Sequence, residues 1–248
     1  MKQHSVLVIP CFNEAERLRP SAFATLLDDA RVELLFVNDG SSDDTQGVLE
    51  RFAAEQPSRI HVLALEKNSG KAEAVRHGLR AALASAPYGV GYFDADLATP
   101  PSEILRLLRV FYAGDAQVVL GSRIALLGRH IHRSALRHYL GRTFATFASA
   151  ALSLPVYDTQ CGAKMFRANA SLRAAVSEPF ISRWAFDVEL IGRLARGGSG
   201  APPLDVHTFH EEPLLEWHDV AGSKLHASHM ARTLYELARI ARDLRKRG

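Results

Sequence analysis

Asp94-Ala95-Asp96 follows directly on the apolar run Tyr88–Phe93. A strand that ends in two acids one residue apart sets a strong negative field at the carboxyl edge of a sheet. One carboxylate of such a pair can hold a divalent cation while the other orients what the cation carries. Oxygen ligands of this kind suit Mg²⁺ or Mn²⁺, which keep several waters and bridge substrate phosphates. Alone, D-x-D is a weak signal, because most short acidic pairs are solvated turns. It has company in Pro10-Cys11-Phe12-Asn13-Glu14, Asn38-Asp39-Gly40-Ser41-Ser42-Asp43-Asp44-Thr45 and Asn68-Ser69-Gly70-Lys71. The second of these is by itself a good turn and helix start. Lys71 could meet a phosphate or could equally be an exposed lysine opening a helix.

The elements that must position these residues alternate. Ser5–Ile9, Val32–Val37, Ile60–Leu65, Tyr88–Phe93 and Gln117–Leu120 read as strands, with helices over Ala15–Asp28, Asp44–Glu55, Lys71–Ser85 and Pro101–Tyr112. This β-α-β-α order predicts an α/β fold with a doubly wound, mostly parallel sheet and helices on both faces. The four polar segments then fall at strand ends, where ligands of such sheets bind. Beyond Gly121 the pattern predicts a long helix (Arg133–Leu154), a short strand after Gly162, and helices over Ala168–Val176 and Arg183–Arg196. A Gly/Pro loop (Gly197–Pro203), two short strands and a final helix follow. No linker composition marks the passage, so residues 1–120 and 121–248 are expected as two lobes of one compact domain.

With 248 residues, 47% hydrophobic and 23% charged, the chain can bury a sizeable core without staples. Cys11 and Cys161 have no metal or redox spacing. Neither a signal peptide nor a run of about 20 apolar residues is present, so no membrane span is expected. No G-x-G-x-x-G follows the first strand, which argues against a nicotinamide enzyme. The net charge of +3 is uneven: from Ser223 onward seven Lys/Arg stand against Glu236 and Asp243. On a helical projection Met230, Leu234, Leu237, Ala241 and Leu244 share one face, and Arg232, Arg239, Arg242 and Lys246 lie opposite. Such a helix can lie on an anionic membrane, or its apolar stripe can pack on the domain with the arginines merely solvated.

The order of the strand-end motifs resembles the inverting GT-A glycosyltransferases of family 2. Gly121-Ser122-Arg123, Asp158-Thr159-Gln160-Cys161-Gly162, Arg183-Trp184-Ala185-Phe186-Asp187-Val188-Glu189 and Glu216–Leu225 look like the branch that glucosylates dolichyl (polyprenyl) phosphate. The resemblance covers roughly residues 5 to 230. It implies a GT-A fold, with residues 1–120 as a Rossmann-like nucleotide-sugar-binding lobe and residues 121–248 as a smaller acceptor-side lobe. It also implies transfer of a hexose, glucose from UDP-glucose, onto a polyprenyl phosphate, with Mg²⁺ or Mn²⁺ as cofactor. Asp96 and Asp94 would hold the metal; Pro10, Glu14, Asp39 and Lys71 would contact the donor, and Ser223 and Lys224 would close over its diphosphate. A polyprenyl phosphate is already anionic, so cations must position it, which directs attention to Arg123 and to Arg133 and Arg137. Asp187 could act as a base or orient the acceptor, or it could pair structurally with Arg183 or Lys164. Asp158 and Gln160 would shape the loop beneath the sugar. The expected setting is cytoplasmic, peripheral at an anionic membrane face, without a nucleic-acid partner. Two other readings stay open: transfer to a soluble or saccharide hydroxyl, and a catalytically idle nucleotide-sugar-binding scaffold.

Overall fold

β1 (Ser5–Cys11) buries Val6 and Val8 in one apolar cluster and Leu7 and Ile9 in another. Side chains alternate across a strand, so a strand feeding two cores must be covered on both faces. The computed structural model, which describes residues 4–132, 135–198, 200–219 and 228–247, builds this cover from helices on either side. In chain order the remaining elements are α1 (Pro20–Ala24), β2 (Val32–Asn38), α2 (Thr45–Glu55), β3 (Ile60–Ala64), α3 (Lys71–Ala84), β4 (Gly89–Phe93), α4 (Pro101–Ala113) and β5 (Val118–Ser122). The second half adds β6 (His130–His132), α5 (Ala135–Leu152), β7 (Ala163–Arg167), α6 (Ala170–Ala175), α7 (Phe186–Arg196), β8 (Phe209–Pro213), β9 (Glu216–His218) and α8 (Ser228–Arg247).

Among the described residues seven strands form one sheet in the order β3-β2-β1-β4-β7-β5-β8. All neighbours run parallel except β7, which lies antiparallel between β4 and β5. Two strands of the second half therefore complete the sheet begun by the first. A separate parallel pair, β6 with β9, joins His130–His132 to Glu216–His218. One core packs α3, α5, α7 and α8 on the sheet, and the other packs α1, α2 and α4 on its reverse.

The helix expected over Ala15–Asp28 is not formed. The chain turns at Glu14, whose carbonyl oxygen accepts Arg17 N and Leu18 N, and starts again at Pro20 as α1, followed by a 3₁₀ turn over Thr25–Asp28. Proline disfavours a helical residue before it and suits a first helical position, so Arg19 sits at φ −118° and the helix begins at Pro20. The helix expected from Arg183 begins at Phe186 instead, because the Ser182 hydroxyl accepts the N–H groups of Trp184 and Ala185.

α8 settles one open choice for its described side chains. Leu237, Ile240 and Leu244 are buried against α5 and α7, and Gly192 of α7 admits Leu244 so closely that a Cβ there would lie 2.2 Å from Leu244 Cδ1. Burying each such side chain is worth roughly 1.5–3 kcal/mol, more than the ~1 kcal/mol of one basic residue at an anionic bilayer. The apolar stripe thus stays on the domain, while Tyr235, Arg239, Arg242, Arg245 and Lys246 are exposed. Ile240, absent from the projected stripe, belongs to it, and Met230 and the Arg232 side chain lie outside the described residues. No helix among the described residues is long and apolar enough to cross a membrane.

Candidate active site

The ends of β1, β2 and β4 and the start of α3 open on one cleft of about 420 Å³, lined by Pro10, Glu14, Asp39, Lys71, Asp94 and Asp96. The sequence-predicted donor-side residues thus come together, apart from Lys224, which lies outside the described residues.

Local chemistry explains the assembly. Asp39 is buried and accepts the N–H groups of Ser69 and Gly70, each at 2.8 Å, so the end of β2 fixes the loop before α3. Gly40, at φ +62°, lies against that loop, and a Cβ would come 2.5 Å from Asn68 N. Asn13 and Glu14 are tied to the same turn: Asn13 N donates to Ser41 Oγ at 3.0 Å and Glu14 N to Thr45 Oγ1 at 2.8 Å. The N-D-G-S motif is therefore a clasp between strand ends.

The acids sit in unequal surroundings. Glu14 Oε1 accepts Arg17 Nη2 at 2.8 Å, whereas Oε2 is buried without a hydrogen-bond partner, and burial pushes the carboxyl up. Desolvation, then the neighbouring Asp94 charge, also raises Asp96, whose Oδ1 accepts Ala98 N at 3.0 Å. Asp94 Oδ1 lies 2.5 Å from Lys71 Nζ. Desolvation opposes the Lys71 charge, but Asp94 and Asp187 outweigh it and hold the ammonium above its ordinary value. Gly162 leaves room for Asp94, since a Cβ there would fall 2.0 Å from Asp94 Oδ2.

The chemistry of this donor set fits a divalent cation. Two carboxylates one residue apart are hard oxygen ligands, and Lys71 Nζ engages only Oδ1 of Asp94. No group of three or more His, Cys, Asp or Glu side chains gathers to hold a metal among the described residues. An ion here would take its other ligands from water and phosphate, as Mg²⁺ and Mn²⁺ do.

Two acceptor-side candidates are already paired within the protein. Arg123 does not stand open: its Nε and Nη2 donate to Asp158 at 2.6 and 2.8 Å, and Arg123 N donates to the same carboxylate. Burial opposes both charges, yet the pair holds Asp158 well below the aspartate range and Arg123 above its own. Glu211 fixes the other side by accepting Tyr157 N and Asp158 N. Asp187, a candidate base, is instead the countercharge of Lys164, whose fully buried Nζ donates to it at 2.7 Å and to Cys161 O. Tyr92 also donates its hydroxyl to Asp187, and Gln160 Nε2 approaches at 3.5 Å. The Lys164 pairing gives this buried carboxylate the partner it requires. Arg133 and the Arg137 side chain lie outside the described residues. Asn68 and Gly70 of the third strand-end motif line the cleft as well, and Arg17 lines it without having been singled out.

The family description "Glycosyl transferase family 2" matches residues 6–171, and the chain belongs to that family. It is 30% identical to a dolichyl-phosphate beta-glucosyltransferase of Trichomonas vaginalis, over 96% of this chain and 71% of that protein. It is 31% identical to the dolichyl-phosphate beta-glucosyltransferase of Dictyostelium discoideum, over 88% of this chain and 68% of that one. Among solved structures, glucosyl-3-phosphoglycerate synthase from Mycobacterium tuberculosis, in complex with Mn²⁺, UDP and glucosyl-3-phosphoglycerate, superposes with a TM-score of 0.68. That likeness, at 18% identity over 98% of this chain and 80% of the other, is one of fold.

Proposed function

We propose that this glycosyltransferase moves a hexose, glucose from UDP-glucose, with inversion onto a polyprenyl phosphate, assisted by Mg²⁺ or Mn²⁺. The observation that carries the acceptor is the state of Asp187. A hydroxyl acceptor needs a carboxylate base, and this carboxylate is already spent on Lys164 and Tyr92. A phosphate acceptor arrives ionised and needs none. The relatives named for dolichyl phosphate support the same reading.

In this reading Asp39 and Glu14 accept from N–H and hydroxyl donors of the base and ribose. Asp96 and Asp94 hold the cation, with Lys71 beside them as a fixed positive charge. The bound ion supplies Lewis-acid neutralisation of the departing diphosphate. The Arg123–Asp158 pair fixes the loop that leads to Gln160 and Lys164, beneath the sugar. The exposed Arg239, Arg242, Arg245 and Lys246 face of α8 brings the enzyme to an anionic, cytoplasmic membrane surface where the lipid resides.

Asp96→Asn tests the donor half. Turnover and metal-dependent UDP affinity, read by calorimetry, should be lost, with the melting temperature of the ligand-free protein nearly unchanged. UDP affinity that is equal with and without metal in the unsubstituted protein would refute the metal assignment.

A further inference from the structure

Cations around the donor cleft are already matched to carboxylates: Arg17 to Glu14, Lys71 to Asp94, Arg123 to Asp158 and Lys164 to Asp187. Arg183 breaks this pattern. It is exposed, and its side chain has no hydrogen bond or ion pair among the described residues. Its guanidinium nevertheless lies against the cleft wall, because a Cβ built on Gly70 would come within 3.0 Å of Arg183 Nε and 3.1 Å of Nη2.

The backbone that presents it is firmly fixed. Ser182, fully buried, accepts Ala185 N at 2.7 Å and donates to Glu236 Oε2 of α8 at 2.5 Å. Glu189 Oε2 accepts Ile181 N at 2.8 Å. A rigid turn thus carries an unspent guanidinium over a cleft otherwise rich in carboxylates. For Arg17 or Lys71 to take a phosphate, an existing ion pair must be exchanged; for Arg183 none is lost. Arginine also offers a planar fork that matches phosphate oxygens two at a time.

We infer that Arg183 is a donor-binding residue that takes a phosphate oxyanion of the nucleoside diphosphate, and that Gly70 lacks a side chain so that the guanidinium can approach. The inference rests on the nucleotide-sugar reading above and adds a residue to it.

Calorimetric titration of UDP with Mn²⁺, with GDP in a parallel arm, tests it on the unsubstituted protein, Arg183→Ala, Arg183→Gln and Arg183→Lys. Loss of charge-assisted hydrogen bonds should raise Kd about 10- to 100-fold in the Ala and Gln variants. Lysine should restore part of it, and the ligand-free melting temperature should not move. Unchanged affinity in both neutral variants would overturn the inference and leave the donor reading intact. Unchanged nucleotide affinity with a raised KM for polyprenyl phosphate would also overturn it, giving Arg183 to the acceptor. If the unsubstituted protein binds neither nucleotide, the donor reading itself falls, and the inference with it.

Discussion

Arg123 and Asp158 form a bidentate pair with little exposure, and each is the other's directly hydrogen-bonded countercharge. Removing one partner leaves an uncompensated buried charge, which costs about 3–5 kcal/mol. Arg123→Ala and Asp158→Asn should therefore lower stability by roughly that amount in urea unfolding, besides any effect on transfer. The pH dependence has a definite sign. Asp158 is depressed in the fold, so its contribution is complete above the unfolded aspartate value and disappears as pH falls towards the folded one. The stability gap between the unsubstituted protein and Asp158→Asn should stay flat from neutrality down to about 3.8, and shrink only below it. A gap that closes between pH 6 and 5 would contradict this picture. The acids that line the cleft were legible as a group because each sits in a short motif at a strand end. The pairings of Arg123 and Asp187 were not, since their partners lie 35 and 23 residues away and meet only in the folded chain.

Among the elements, α8 is the one whose role depends most on packing. A helical projection assigns it an apolar and a basic face but cannot say what covers the first. Gly192 answers this, because only a residue without a side chain lets α8 approach α7 so closely. Gly192→Ala should destabilise the protein by about 1–3 kcal/mol, the usual cost of overpacking. Leu244→Ala, costing about 2–5 kcal/mol alone, should absorb part of that penalty when combined with it, and additive losses in the double-mutant cycle would show that the two do not touch. β7 was read as a strand without a place. Its insertion between β4 and β5 depends on pairing with Gly91 and Leu120, far away in sequence, which short-range patterns do not encode. The missing helix over Ala15–Asp28 is different: Pro20 was a legible stop, overruled by an apolar period that the turn also satisfies.

For the molecule as a whole, the sheet takes strands from both halves of the chain, so the cleft between β1, β2 and β4 and the second half are built on one sheet. On the proposed reading, the exposed Arg239, Arg242, Arg245 and Lys246 of α8 turn towards anionic lipid. Flotation with anionic vesicles should show salt-sensitive binding that Arg239→Glu, Arg242→Glu and Lys246→Glu together weaken, since screening removes such contacts within a Debye length; equal binding to neutral vesicles would contradict it. Purified protein should be supplied with labelled UDP-glucose and Mn²⁺, with polyprenyl phosphate or with a saccharide acceptor, and the label followed into lipid extract or aqueous product. Glucose should pass to the lipid phosphate in a metal-dependent reaction that Asp96→Asn abolishes. Label moving only to the saccharide, or from UDP-glucose to no acceptor while another nucleotide sugar is consumed, would contradict it.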